Sequence, residues 1–138
     1  MKRFVLDASV TLAWFLDNPI APLALQVKQA LVAGARAAVP ALWHLEMANG
    51  LVVAERRSIL TPAEVIRSLI NIEQLTTQIE TISDVIPARQ ALSTARSFQL
   101  SAYDAVYLET ARNEGLPLAT LDRSMRTAAM RVAVELFR

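Results

Sequence analysis

Apolar residues along this chain fall into short, bounded runs whose period switches between that of a strand and that of a helix. Phe4-Val5-Leu6 ends at Asp7, and Val10-Thr11-Leu12-Ala13-Trp14-Phe15 follows at once. The pair predicts a short buried strand feeding a helix. From Pro22 to Ala33, Leu23, Val27, Ala30 and Leu31 keep helical spacing, with Gly34 as the C-terminal cap. Ala37-Ala38-Val39 predicts a brief strand stopped by Pro40, and Ala41 to Glu55 a helix that is apolar on most sides.

Thr61-Pro62-Ala63-Glu64 has the signature of a helix start, with Thr as cap, Pro at the first position and Glu at the third. That helix is expected to run to about Leu75 and, with the preceding one, to form a hairpin beside the sheet. Ile79-Glu80-Thr81-Ile82 alternates as a strand does. A helix opening at Ser83 or Asp84, with Pro87 in its first turn, is expected to reach Phe98. Ser101-Ala102-Tyr103-Asp104 starts another, which Gly115 ends. Pro117 to Leu121 predicts a strand leading into Asp122, Arg123 to Met130 a short helix, and Arg131 to Phe137 a last, Val-rich strand. Strands alternating with helices predict an α/β fold with a parallel sheet, right-handed crossovers and helices on both faces. Residues 1–138 are expected to form a single domain.

Composition narrows the partners. A 54% hydrophobic content and a mean hydropathy of +0.33 exceed what one sheet needs, which points to an apolar surface for a partner or a second copy. No apolar run reaches the ~18 residues of a membrane span. Lys2-Arg3 begins as a signal peptide does, but Asp7 interrupts the apolar run and no cleavage site follows. With no cysteine, disulfides and thiolate sites are excluded, and a cytoplasmic location is expected. Net charge is +1, so no bulk electrostatic signature of a nucleic-acid binder is present; the basic residues are nonetheless twelve arginines against two lysines, a bias that suits phosphate.

Candidate chemistry lies in four solitary acids. Asp7 is the only charge between Arg3 and Asp17, Glu46 between Arg36 and Glu55, and Asp104 between Arg96 and Glu109. Asp122 sits where a buried strand hands over to a helix. Capping accounts for Asp7, Asp122 and Asp104 taken singly, and an ion pair with a distant arginine accounts for Glu46. Taken jointly, acids at two strand ends, a helix and a helix start suggest one pocket, where a divalent cation would relieve their repulsion. Hard oxygen donors describe a Mg²⁺ or Mn²⁺ site. His44, the only histidine, lacks a companion at ligand spacing and is read as a structural or surface residue. Trp14, Trp43, Tyr103 and Tyr107 are read first as core and second as base-stacking residues.

Val5-Leu6-Asp7-Ala8-Ser9, Pro40 through Glu46 to Asn49, Leu100 to Ala105 with Tyr107-Leu108, and Ala119-Thr120-Leu121-Asp122 occur in an order similar to that of PIN-domain ribonucleases. The chain most resembles the VapC-like toxins of bacterial toxin–antitoxin pairs. The resemblance implies a three-layer α/β/α fold with a central parallel sheet of about five short strands. It implies Asp7, Glu46, Asp104 and Asp122 as metal-binding and catalytic acids, supported by Thr120, Ser9 and Asn49. It implies RNA as substrate, Mg²⁺ or Mn²⁺ as cofactor, and a small cognate antitoxin; the surplus apolar surface suits a homodimer. Arg123 and Arg126 are candidates for RNA phosphate. Where many members carry a further acid, this chain has Arg123-Ser124-Met125-Arg126, which leaves a second metal position open. Two rival readings remain: a non-catalytic interaction module, and a metal-dependent phosphatase or DNA nuclease on a similar sheet.

Overall fold

The computed structural model describes residues 2–138. Strand β1 (Arg3–Leu6) leads into helix α1 (Ala8–Leu16), followed by α2 (Pro22–Val32), β2 (Arg36–Pro40), α3 (Leu42–Arg56) and α4 (Pro62–Glu73). A single 3₁₀ turn at Thr76–Gln78 precedes β3 (Ile79–Ile82); α5 (Ala88–Phe98), α6 (Ala102–Glu114), β4 (Leu118–Ala119) and α7 (Arg123–Arg131) complete the chain. All strand pairings are parallel, in the order β3-β2-β1-β4, and helices flank the sheet in three layers. Among the described residues no helix is long and apolar enough to cross a membrane.

The strand order decides where a site can form. From β1 the chain moves to β2 and then outward to β3, before returning to the other side of β1 as β4. Its direction of winding therefore reverses between β1 and β4. In open parallel sheets the crevice at the carboxyl ends of the strands flanking such a reversal is where ligands bind. Asp7 directly follows β1, and Thr120 to Asp122 directly follow β4.

Phe4, Val5 and Leu6 are wholly buried, as a central strand covered on both faces requires. Ala37, Ala38 and Val39 of β2 are equally buried. Thr61 closes the predicted capping box at the start of α4: its Oγ accepts from the Glu64 amide at 3.1 Å, and the Glu64 carboxylate accepts from the Thr61 amide at 2.9 Å.

The sheet has four strands rather than the five expected, because the Val-rich tail does not form one. α7 continues to Arg131, Ala133 adopts a left-handed φ of 59°, and only Leu136 makes an isolated bridge to Leu118. β4 is two residues long, preceded by a proline without an amide hydrogen and ended by the turn at Thr120, so it offers little ladder to a neighbour. The tail instead buries Val134 and Phe137, the latter edge-on to Phe4 at 4.7 Å. A second difference lies at Ser83 and Asp84, where a helix start was expected. α5 begins only at Ala88, with Pro87 at its cap position. Pro87 biases Ile86 toward extended backbone, so no helix can enter from that side.

Candidate active site

Asp7 is only 4% exposed, and the arrangement around it explains how a carboxylate is tolerated there. Its Oδ2 accepts from the Ser9 hydroxyl at 2.6 Å and from the Thr120 hydroxyl at 2.7 Å. Each hydroxyl is itself aimed by a main-chain amide of the turn after β4. Leu121 N–H donates to Ser9 Oγ at 3.1 Å, and Asp122 N–H donates to Thr120 Oγ1 at 3.0 Å. Asp7 occupies the cap position of α1 without capping it, so its side chain serves this network rather than the helix end.

The other acids reach the same place from different elements. Asp122 does cap α7, with Oδ1 accepting from the Met125 amide at 2.8 Å. Asp104 stands in the first turn of α6, whose start is capped by Ser101 Oγ through the Asp104 amide at 3.0 Å. Glu46, in the second turn of α3, accepts from the Tyr107 hydroxyl at 2.6 Å. Asp7, Glu46, Asp104 and Asp122 all line one cavity of about 600 Å³, together with Ser9 and Asn49. α3 can approach α1 at its wall because Gly50 has no Cβ: one built there would lie 2.6 Å from Leu12 Cδ2.

No arginine intrudes. The ion pairs among the described residues are Arg3–Glu80 and Arg112–Glu109, and neither includes a cavity acid. The four acids nevertheless converge less tightly than expected for ligands of one ion. Among the described residues no three acids stand close enough, as placed, to grip a metal ion. The donor chemistry still fits Mg²⁺ or Mn²⁺, which keep much of their water and take few carboxylates directly.

A family model described as PIN domain matches residues 4–130. The chain belongs to the PIN domain family. Among solved structures it is similar to PAE2754 from Pyrobaculum aerophilum, at 22% identity and a TM-score of 0.69 over 92% of this chain and 86% of that one. It is similar to FitAcB from Neisseria gonorrhoeae at 20% identity and a TM-score of 0.63, over 98% and 96% of the two chains. A toxin–antitoxin complex from Klebsiella pneumoniae matches at 23% identity and a TM-score of 0.55, over 86% of each chain. These likenesses concern the fold. No curated protein matches the chain in sequence.

The electrostatics of this PIN domain follow from burial first and crowding second. Burial pushes the Asp104 carboxyl up to about 6, helped by the charges of Asp7, Asp122 and Glu46. Burial also raises Asp7 against the bonds from Ser9 and Thr120 that favour its anion, and Asp122 adds to the rise. Glu46 is raised by burial, opposed by the Tyr107 hydroxyl and reinforced by Asp7. A cation beside them would favour their ionised forms.

The remaining sequence candidates divide. Thr120 and Ser9 hold Asp7, and Asn49 is an exposed wall residue. Arg126 donates to the Thr120 carbonyl at 3.1 Å and so belongs to the turn, whereas Arg123 is exposed. His44 faces Thr81 Oγ1 at 2.8 Å, outside the cavity lining. Trp14, Trp43 and Tyr107 are buried, but Tyr103 is 62% exposed at the cavity rim. Tyr107's bond to Glu46 was not foreseen. The signal was its place three residues after Asp104, on the same helical face.

Proposed function

We propose that this PIN domain is a metal-dependent endoribonuclease that hydrolyses RNA phosphodiester bonds, and that it acts as a toxin neutralised by a small cognate antitoxin. The observation that carries the reading is the meeting of four carboxylates, from four separate parts of the chain, in one cation-free cavity at the reversal of the sheet. A divalent metal bound among Asp7, Asp104, Asp122 and Glu46, in part through its own waters, would polarise a phosphoryl oxygen and acidify a water for attack. The chain's own part is positioning. Ser9 and Thr120 fix Asp7, Tyr107 fixes Glu46, and Asp104, in the first turn of α6 on the cavity wall, is suited to accept a proton from water. Arg123 is suited to flanking phosphate, and the exposed Tyr103 ring beside Asp104 to an unstacked base.

The antitoxin and a homodimeric partner are inferred from exposed apolar side chains at Ile59, Ile66, Leu69 and Ile70, on and before α4. The Klebsiella pneumoniae neighbour, a toxin–antitoxin complex, supports the same reading. Purified protein tests it. RNA cleavage should require Mg²⁺ or Mn²⁺ and stop with chelator, while Asp7→Asn and Asp104→Asn should remove cleavage and leave the fold intact. Full cutting by both variants, or cutting of DNA alone, would refute it. Antitoxin binding without any cleavage would favour the non-catalytic module.

A further inference from the structure

Tyr107 is wholly buried, yet its hydroxyl is not a passive part of the core. It crosses from α6 to α3 and donates to Glu46 Oε1 at 2.6 Å, a short charge-assisted bond. Glu46 is half-buried, and no other hydrogen bond to its carboxylate is formed among the described residues. A glutamate side chain has three rotatable bonds and loses substantial entropy when fixed. One oxygen is anchored by Tyr107, so the other is presented from a limited set of positions. α6 therefore supplies the cavity twice: directly through Asp104, and one turn later through the hydroxyl that holds an acid from a different helix.

We propose that Tyr107 is a positioning residue, orienting the Glu46 carboxylate for the divalent cation and preorganising the metal site across the α3–α6 junction. The inference rests on the nuclease reading above, but its test reads cation binding directly. Isothermal titration with Mn²⁺ is run on the wild type, Tyr107→Phe, Glu46→Ala and the double variant, each well below its own melting temperature. Phe keeps the ring in the core and removes only the hydroxyl. Loss of such an outer partner of a ligand typically weakens metal binding about 10-fold or more, and Tyr107→Phe should do so. In the Glu46→Ala background the same substitution should add nothing, because the carboxylate it orients is gone. A merely structural hydroxyl would give equal effects in both backgrounds. Unchanged Mn²⁺ affinity in Tyr107→Phe, or equal losses with and without Glu46, overturns the proposal while leaving the nuclease reading standing. A wild type that binds no Mn²⁺ and cleaves no RNA overturns both.

Discussion

Thr120 donates to Asp7 across the reversal point of the sheet while accepting from the Asp122 amide, so one hydroxyl joins two of the four acids. Thr120 is fully buried, and Asp7 is nearly so. Thr120→Val keeps the shape and deletes the hydroxyl. Stability should fall by about 1–3 kcal/mol, since the Asp122 amide and Asp7 Oδ2 both lose a partner. Cleavage should fall about 10- to 100-fold through a displaced Asp7. Thr120→Ser should restore most of both. Denaturant unfolding and single-turnover cleavage check this, and a Val variant as active as wild type would remove Thr120 from the site.

Asp104 should make the metal-free protein less stable as pH rises. Its pKa is raised in the fold from the ordinary 3.8 to about 6, so ionising it opposes folding. The stability it allows is complete below the unfolded value and is lost as pH climbs through about 6. In chelator, Asp104→Asn should melt above wild type at about pH 7.5, and the gap should close towards about pH 4, where the aspartate is neutral too. Mn²⁺ should reverse the order by stabilising wild type more. A pH-independent gap would mean that neither burial nor the neighbouring acids raise the Asp104 carboxyl.

The strand ends and helix starts that carry this site were readable because each rests on local chemistry. Asp7 interrupts an apolar run, Ser101 and Asp122 stand at cap positions, and Thr61-Pro62-Ala63-Glu64 is a self-contained motif. Solitary charge identified the four cavity acids for the same reason, since an acid facing a pocket has no reason to sit among cations. What escaped depends on distance along the chain. Tyr107 and Glu46 are 61 residues apart, so helical spacing could place Tyr107 beside Asp104 but could not pair it with Glu46. The tail failed as a strand although Val132 and Val134 favour one, because strand propensity is expressed only beside a partner long enough to pair with. β4, at two residues, is not.

Gly50 and Leu12 should show a change of sign between backgrounds. A Cβ at position 50 would meet Leu12 Cδ1 at 2.7 Å and Cγ at 3.2 Å, so Leu12 must turn. Gly50→Ala gains up to about 1 kcal/mol of helix propensity, but overpacking typically costs about 1–3 kcal/mol. In wild type the substitution should therefore destabilise by about 1 kcal/mol. In a Leu12→Ala background it should stabilise by a similar amount. Urea midpoints of the four proteins measure this, and equal effects in both backgrounds would contradict the close approach.

Glu109 provides the opposite pH response to Asp104 from the same helix. It is 4% exposed and accepts from Thr94 at 2.7 Å, Gln90 at 2.7 Å and Arg112 at 3.0 Å, which fastens α5 to α6. Burial alone would raise its pKa, but the three donors outweigh burial and hold it below the ordinary 4.5. A lowered pKa contributes stability above the unfolded value, and that contribution disappears as pH falls through the folded one. Glu109→Gln keeps the size but replaces a charged acceptor, and should cost about 1–3 kcal/mol near neutral pH. The deficit should shrink in acid, where wild type loses the same charge. Because Glu109 does not line the acid cavity, cleavage below the melting temperature should stay at the wild-type rate. A Gln variant with wild-type stability at neutral pH would show that the α5–α6 contact stands without this carboxylate.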